Sequence, residues 1–220
     1  MQTFLKDNLH ISKIIKNNIL STNSKEKKGA IFLDRDGVLI LDKHHISDPN
    51  KVELESGVHN FIIKTAKLNI KIFIITNQSG IGRGLFNWID YENVTKKMLG
   101  LVPYPNNIYA LYASGELPLI SNKTRKPNPT MINLACKEYE IDPKKSIFVG
   151  DRISDIRASA RANLMLSFHI STGKGKQEKK DIKKYIYDDF FIDAPSKSKV
   201  KTIFINNLNE INLHQIFNLK

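Results

Sequence analysis

The sequence predicts an α/β fold in which a mainly parallel sheet is flanked by helices. Short apolar runs of strand length alternate along the chain with patterns of helix length, which is typical of βαβ units. With 220 residues, 41% of them hydrophobic, the chain is long enough for one domain with a full core. Its charged fraction of 25% is ordinary for a globular protein.

The predicted elements follow one another from residue 30 to residue 170. Buried strands are predicted over residues 30–33, 70–75, 107–112, 146–149 and 164–170. Helices are predicted between them over residues 58–68, 90–99, 128–139 and 154–162. Asp90 suits the start of the second helix, and Asn128 with Pro129 suits the start of the third. Strands separated by helices in this way indicate a mainly parallel sheet.

Both ends of the chain lie outside this alternation. Residues 1–20 show apolar side chains at helical spacing and residues 21–28 are polar, so residues 1–28 are predicted to form a helical extension and a linker. Residues 29–175 form the predicted core. Residues 176–220 are predicted to form a basic loop and closing elements packed on that core. The elements expected there are an exposed loop or a partly helical segment over 173–184, edge strands at 190–192 and 202–205, and a helix over 208–217.

Charge and cysteine content limit the possible functions. Thirty-four Lys and Arg against twenty-two Asp and Glu give a net charge of +12, which attracts anionic ligands. Because the basic residues are dispersed, compositional bias accounts for this charge better than a dedicated polyanion groove. The single cysteine, Cys136, excludes an intramolecular disulfide framework and a multi-cysteine zinc site.

The hydropathy pattern gives no sign of a membrane protein. No apolar run approaches the ~18 residues that a membrane span needs. Residues 1–20 also lack the apolar segment and cleavage site of a secretory signal. We therefore expect a cytoplasmic protein without a membrane partner, either a monomer or a homodimer.

Three of the predicted strands end in an acid or a hydroxyl, and one loop carries paired cations. Asp34-Arg35-Asp36-Gly37 follows the first strand, Thr76 and Asn77 end the second, and Asp151 follows the fourth. Arg125-Lys126 lies in the loop before the helix over 128–139. Ligands of an open α/β sheet bind beyond the carboxyl ends of its strands, so these groups are expected to meet in one crevice. Carboxylates together with cations predict a site for phosphate and magnesium.

The residue types at these positions suit phosphoryl transfer. Two carboxylates as close as Asp34 and Asp36 do not both stay charged and unpaired, so one can act as nucleophile and the other as general acid. Asp34 and Asp151 offer the oxygen ligands that Mg²⁺ prefers, and Lys126 offers a point charge for phosphate. Asp155 is either a partner of this site or a residue of the first helical turn, where its charge is favourable. Each motif taken alone also has a structural explanation, such as a capped turn or a solvated cation pair.

As a set, these segments resemble the haloacid dehalogenase superfamily of phosphatases, in the order which that superfamily uses. The likeness runs from about residue 30 to residue 171, and its most specific part is Thr76-Asn77-Gln78-Ser79-Gly80-Ile81-Gly82-Arg83-Gly84. It is closest to the branch that contains phosphatases of heptose bisphosphate and of histidinol phosphate. The resemblance implies a Rossmann-like fold with a minimal cap or none.

The resemblance also implies catalytic roles, position by position. Asp34 would be the nucleophile and a magnesium ligand. Asp36 would be the acid/base and would lend its backbone carbonyl to the metal. Thr76 and Lys126 would hold the transferring phosphoryl group, and Asp151 would complete the magnesium site.

The expected substrate follows from the same likeness. Asn77, Arg83 and Arg125 would contact a small phosphorylated sugar, foremost D-glycero-D-manno-heptose 1,7-bisphosphate. Histidinol phosphate, a polynucleotide 3′-phosphate, and a non-catalytic binding module remain as alternatives. Members of this branch usually carry a Cys/His zinc loop before the Arg-Lys-Pro segment. The corresponding residues 112–124 contain neither cysteine nor histidine, so no zinc is expected.

Overall fold

Ten strands form one sheet in the computed structural model, which describes residues 1–14, 27–119 and 122–218. In chain order these strands are β1 (Gln2–Lys6), β2 (Leu9–Lys13), β3 (Ile31–Leu33), β4 (Ile72–Asn77), β5 (Ile108–Ser114), β6 (Ile147–Gly150), β7 (Leu166–Ile170), β8 (Ile186–Tyr187), β9 (Phe190–Asp193) and β10 (Ser198–Ile205). The helices are α1 (Val58–Lys67), α2 (Ser79–Gly82), α3 (Trp88–Leu101), α4 (Thr130–Glu138), α5 (Ile153–Arg161), α6 (Gly175–Lys183) and α7 (Leu213–Ile216).

Parallel strands make up the middle of the sheet, and an antiparallel hairpin extends each edge. The strand order is β1-β2-β5-β4-β3-β6-β7-β10-β9-β8. The six strands in the middle, β5, β4, β3, β6, β7 and β10, run parallel to one another. The predicted α/β class is therefore confirmed. The five strands and four helices predicted between residues 30 and 170 are all present, and no bound moves by more than two residues.

Strands β3 to β7 are buried on both faces, which explains their continuous apolar runs, whereas β10 alternates between buried and exposed residues. Along β3, Ile31 and Leu33 face one side and Phe32 faces the other. The first side packs against α1 and α3, and the second packs against α4 and α5. The two layers hold the carboxyl ends of the central strands in fixed positions.

The helix predicted over residues 1–20 was wrong for the described residues, which form the β1–β2 hairpin instead. Asp7 and Asn8 adopt left-handed φ angles of 47° and 63°, as a tight hairpin turn requires. Strand β2 then pairs antiparallel with β5, which buries His10 and Ser12. Residues 15–26, which held the rest of that helix and most of the predicted linker, lie outside the described residues.

Two predicted helix starts differ from the structure. The cap position of α4 is Pro129, and Asn128, one residue earlier, accepts a hydrogen bond of 3.0 Å from the Thr130 N–H. Asn87, not Asp90, caps α3: its side-chain oxygen accepts hydrogen bonds from the backbone N–H groups of Ile89 and Asp90. Asp90 is the third residue of the helix and completes a capping box with Asn87. Its side chain accepts a hydrogen bond of 2.9 Å from the backbone N–H of Asn87.

The C-terminal region is more ordered than predicted. Helix α6 occupies most of the stretch at 173–184, in agreement with the partly helical alternative. Neither predicted edge strand lies at the edge, because β10 lies between β7 and β9, and β9 lies between β10 and β8. The single helix expected over 208–217 is two short turns, a 3₁₀ turn at Leu208–Glu210 and then α7. Asn212 separates them by capping α7 with its side chain.

All three predicted segments contribute strands to the same sheet. The division of the chain at residues 28/29 and 175/176 remains a prediction. Among the helices in the described part of the chain, none combines the length and apolar character needed to cross a membrane.

Candidate active site

The candidate site lies at the carboxyl end of β3, where the strand order changes direction. Strand β3 pairs with β4 on one side and with β6 on the other. Asp34 follows β3, Thr76 lies near the end of β4, and Asp151 follows β6. This is the position at which open α/β sheets bind ligands, because helices connect to opposite faces there and leave a crevice.

A buried lysine joins two carboxylates at the floor of this crevice. Lys126 Nζ lies 2.9 Å from Asp34 Oδ2 and 2.7 Å from Asp155 Oδ1. It also donates a hydrogen bond of 2.7 Å to the backbone carbonyl of Ile75. Burial alone lowers the pKa of Lys126, but the charges of Asp155 and Asp34 outweigh it and raise that pKa above its ordinary value. The ammonium group is therefore fixed in both position and charge.

Three buried carboxylates gather around one point beside this lysine. Oxygen atoms of Asp34, Asp151 and Asp155 lie within 4.8 Å of one another. Burial, followed by the charges of the other two acids, raises the pKa of Asp151 to about 8. Burial likewise raises the pKa of Asp34 to about 6, although Lys126 acts in the opposite direction. The cluster holds more negative charge than one lysine neutralises.

A divalent cation fits this cluster. Asp151 Oδ2 accepts a hydrogen bond of 2.7 Å from the backbone of Lys174, whereas Asp151 Oδ1 is buried without a hydrogen-bond partner. A buried carboxylate oxygen without a donor is costly unless a cation meets it. Hard oxygen ligands of this kind suit Mg²⁺.

The predicted metal ligands were Asp34, Asp36 and Asp151. The structure brings Asp34 and Asp151 together, but the third side chain of the cluster is Asp155, not Asp36. A metal contact through the backbone carbonyl of Asp36 stays a prediction. Both interpretations that were left open for Asp155 describe its position. It pairs with Lys126 in the site, and it also accepts a hydrogen bond of 3.0 Å from the backbone N–H of Arg152 at the start of α5.

Asp36 is held by a hydrogen-bond network of its own. The buried Arg35 guanidinium donates to both Asp36 oxygens at 3.0–3.2 Å and lies over the Tyr91 ring at 5.0 Å. Gln78 Nε2 donates to Asp36 Oδ2 and to Thr76 Oγ1, each at 2.8 Å. Gln78 Oε1 accepts in turn from Arg35 at 3.1 Å. One amide thus fixes both the acid and the hydroxyl.

This network includes the Thr76 hydroxyl as an acceptor. Since Thr76 Oγ1 already accepts a hydrogen bond from Gln78 Nε2, its own O–H group is available to donate to another acceptor. Thr76 and Gln78 both line a cavity of about 390 Å³ that also contains Asp34 and Asp36. The hydroxyl can therefore donate to a ligand in that cavity.

Asn77 forms a clamp on the backbone of Lys126. Its side-chain oxygen accepts from the Lys126 N–H at 2.9 Å, and its amide donates to the Lys126 carbonyl at 3.0 Å. Asn77 also lines the cavity. Its predicted contact with substrate is untested, but its role in placing the lysine is visible.

Cationic side chains surround the mouth of the cavity. Arg83, Arg125 and Arg152 line it together with His44 and His45. A second cavity of about 710 Å³ continues outward and shares Arg83 and both histidines. Burial, followed by repulsion from Arg152 and Arg83, lowers the pKa of Arg125. The mouth suits an anionic group.

Two glycines allow the backbone to close around Asp151. Gly37 has a φ of +82°, and a Cβ atom there would lie 2.6 Å from Asp151 Oδ2. A Cβ atom on Gly173 would lie 2.3 Å from the same oxygen. Any larger residue at either position would displace the carboxylate that the site depends on.

Several residues of the site were not predicted from the sequence. Arg35 and Gln78 both belong to motifs that the sequence analysis identified. The position of Arg35 next to Asp36, and of Gln78 two residues after Thr76, could have indicated that they contact these residues. No role was predicted for His44 and His45, since a loop path decides where they lie.

The fold and site together define a haloacid dehalogenase-type phosphatase, a phosphoric monoester hydrolase. A family profile described as polynucleotide kinase 3 phosphatase matches residues 30–191. The chain belongs to this family, and the predicted superfamily and enzyme class are confirmed.

Curated relatives carry more specific names. The chain is 34% identical over 149 residues to D-glycero-beta-D-manno-heptose-1,7-bisphosphate 7-phosphatase of Helicobacter pylori strain J99, covering 63% of this chain and 83% of that protein. It is 35% identical over 160 residues to the D-glycero-alpha-D-manno-heptose-1,7-bisphosphate 7-phosphatase of Photorhabdus laumondii, covering 67% and 85%. Relatives named for either anomer are therefore similar to this chain.

A solved structure supports the fold. The D,D-heptose 1,7-bisphosphate phosphatase of B. bronchiseptica, crystallised with magnesium and phosphate, superposes with a TM-score of 0.68 and 23% identity. The match covers 82% of this chain and 93% of that one.

Proposed function

We propose that this chain is a Mg²⁺-dependent phosphatase of a phosphorylated sugar, foremost a D-glycero-D-manno-heptose 1,7-bisphosphate, acting through an aspartyl-phosphate. The observation that carries the proposal is the floor of the site, where Lys126 lies between Asp34 and Asp155 and Asp151 lies beside them. This arrangement offers a nucleophile, a fixed positive charge and oxygen ligands around one point.

The first step transfers the phosphoryl group to the enzyme. An oxygen of Asp34 forms a bond to phosphorus as the bond to the sugar oxygen breaks. Asp36 gives its proton to that leaving oxygen, so the sugar departs as an alcohol. Lys126 Nζ and the Thr76 hydroxyl hold the phosphoryl oxygens during the transfer.

The second step restores the enzyme. Asp36, now a carboxylate, takes a proton from a water molecule that attacks the phosphorus of the aspartyl-phosphate. The bond between Asp34 and phosphorus breaks, which releases inorganic phosphate and the free carboxylate.

Asp34, Asp151 and Asp155 surround the point where Mg²⁺ would be held, with the unpartnered Asp151 Oδ1 as the clearest ligand. When bound, the cation supplies charge that offsets the negative phosphoryl oxygens.

Support for a bisphosphate comes from the mouth of the site. Arg83, Arg125 and Arg152 line the cavity around the acidic floor. A substrate with two phosphates can therefore place one phosphate at the floor and the other among these arginines at the mouth. The names of the curated relatives point to the same substrate class.

A polynucleotide 3′-phosphate is the second candidate. The name of the matching family and the net charge of +12 favour it. The cavity of about 390 Å³ is of the size that small molecules occupy. The basic residues are dispersed along the sequence and do not indicate a groove that binds a nucleic-acid strand.

A phosphate-release assay tests the proposal. Purified protein is given both anomers of the heptose bisphosphate, histidinol phosphate and a 3′-phosphorylated oligonucleotide, each with Mg²⁺ or with a chelator. We expect Mg²⁺-dependent release that is fastest with the heptose bisphosphates. Faster release from the oligonucleotide would favour the second candidate, and no release from any substrate would refute phosphatase function.

A further inference from the structure

Glu116 connects the end of β5 to the segment that carries the site's two loop cations. Its Oε2 accepts hydrogen bonds from the backbone N–H groups of Thr124 at 2.9 Å and Arg125 at 3.0 Å. Its Oε1 accepts from the N–H of Lys123 at 3.2 Å. Three consecutive backbone donors thus converge on one carboxylate, as they do around a bound anion.

Further contacts tie the same two segments together. Arg125 Nη1 donates to the backbone carbonyl of Glu116 at 3.3 Å, so both the backbone and the side chain of Arg125 are bound to this residue. The hydroxyls of Ser114 and Thr124 are 2.8 Å apart. Burial acts to raise the pKa of Glu116, but hydrogen bonds from the Thr124 and Arg125 backbone outweigh it and lower that pKa. The carboxylate is therefore charged at neutral pH.

Lys126 does not depend on Glu116 in the same way. The Asn77 clamp holds its backbone, and Asp34, Asp155 and the Ile75 carbonyl hold its ammonium group. The catalytic floor therefore has its own supports. Arg125 lies one residue earlier, at the mouth, and is directly bound to Glu116.

We propose that Glu116 is a positioning residue for substrate selection: it orients Arg125 to bind the second anionic group of a bisphosphate. The inference rests on the proposed phosphatase function and adds a determinant of its substrate class. An amide in place of the carboxylate keeps one acceptor oxygen and turns an NH₂ group toward at least one of the three backbone N–H donors. Glu116→Gln therefore keeps the size of the side chain but breaks the convergence of all three donors and removes the negative charge.

The test is a double-mutant cycle. Wild type, Glu116→Gln, Arg125→Ala and the double variant are assayed with the heptose 1,7-bisphosphate and with a heptose monophosphate that lacks the second phosphate. In Glu116→Gln we expect KM for the bisphosphate to rise roughly tenfold with kcat changed less than about twofold. KM for the monophosphate stays the same. In the Arg125→Ala background, Glu116→Gln adds no further effect.

Glu210→Gln is the matched control, because Glu210 also accepts from a backbone N–H, that of Asn206 at 3.1 Å, on an exposed surface. Its KM values are expected to equal those of wild type. Thermal melting of each variant reports folding separately. A second measurement is calorimetric binding of the bisphosphate in an Asp34→Asn background, where Glu116→Gln is expected to raise Kd by the same factor.

The outcomes separate the two proposals. An active wild type in which Glu116→Gln leaves KM unchanged, raises it equally for both substrates, or adds fully to Arg125→Ala overturns the positioning role alone. A wild type that releases no phosphate from the bisphosphate overturns the proposed substrate and this inference with it.

Discussion

The floor and the mouth of the site differ in how their residues are held. At the floor, all four charged residues are buried: Asp34 and Asp151 directly follow central strands, Asp155 lies in the first turn of α5, and Lys126 is held between them from a loop. At the mouth, the cations lie on loops and are exposed or half-buried. The floor has charges that burial strengthens and neighbours fix, whereas the mouth has charges that water screens. The chemistry and the choice of substrate are therefore separate structural problems in this protein.

The largest expected effect comes from the floor. Asp34→Asn removes the proposed nucleophile while keeping the size of the side chain, so we expect kcat to fall on the order of 10⁴-fold or more for every substrate. Phosphate release measured with bisphosphate and monophosphate substrates checks this. Asp181→Asn, on the exposed face of α6, is the control and should match wild type. Activity near that of wild type in Asp34→Asn would exclude the assigned nucleophile.

A smaller effect on the floor is expected from Gln78→Leu. The amide that orients both Asp36 and the Thr76 hydroxyl would be lost, and misplaced catalytic groups cost about 10²-fold in rate. The loss should appear in kcat and be equal for mono- and bisphosphates. Gln215→Leu, at an exposed position of α7, serves as the control. A change confined to KM would show that Gln78 acts at the mouth instead.

At the mouth, Arg83→Gln tests the opposite behaviour. Removing one guanidinium from the cationic rim should raise KM for a bisphosphate about tenfold with little change in kcat. The effect should shrink as salt concentration rises, because Arg83 is exposed. Steady-state kinetics at low and high ionic strength measure it. A fall in kcat for monophosphates would contradict the separation of floor and mouth.

The smallest expected effect is on stability and depends on pH. Burial raises the pKa of Asp151 to about 8 and that of Asp34 to about 6, from an ordinary value of 3.8. The folded, metal-free protein therefore binds protons that the unfolded chain releases, so its stability falls as pH rises from about 4 to about 8.

Mg²⁺ should reverse this loss, because it needs the deprotonated carboxylates. We expect saturating Mg²⁺ to raise Tm on the order of 5 °C near pH 8, with a much smaller rise near pH 5. Thermal melts with Mg²⁺ and with chelator across this range provide the measurement. In Asp151→Asn the response to Mg²⁺ should disappear, and an unchanged response would place the cation elsewhere.

The sequence was sufficient to predict most of the floor and the central elements. Asp34, Thr76 and Asp151 each follow or end a buried strand, and that local pattern fixes the edge of the sheet on which they lie. Lys126 comes from a loop, yet it was predicted from its chemistry and its motif. Asp155 was left between two interpretations because one carboxylate both pairs with Lys126 and caps α5.

What could not be predicted depends on contacts between distant parts of the chain. The β1–β2 hairpin pairs with β5, about a hundred residues away, so its apolar spacing alone favoured the wrong element. Glu116 acquires its importance only when the loop returns three N–H groups to it. His44 and His45 reach the mouth by the path of a loop, for which no periodic pattern exists.

The region after residue 175 also takes part in the site. Glu178 Oε2 accepts a hydrogen bond of 2.7 Å from the backbone N–H of Ile153 at the start of α5. Strand β10 pairs with the edge of β7 that is opposite β6. A shortened gene product that stops at residue 175 would expose a bare sheet edge, which invites aggregation, and would lose a helix cap next to Asp151. The smallest autonomous enzyme is therefore larger than the stretch that carries the recognisable motifs.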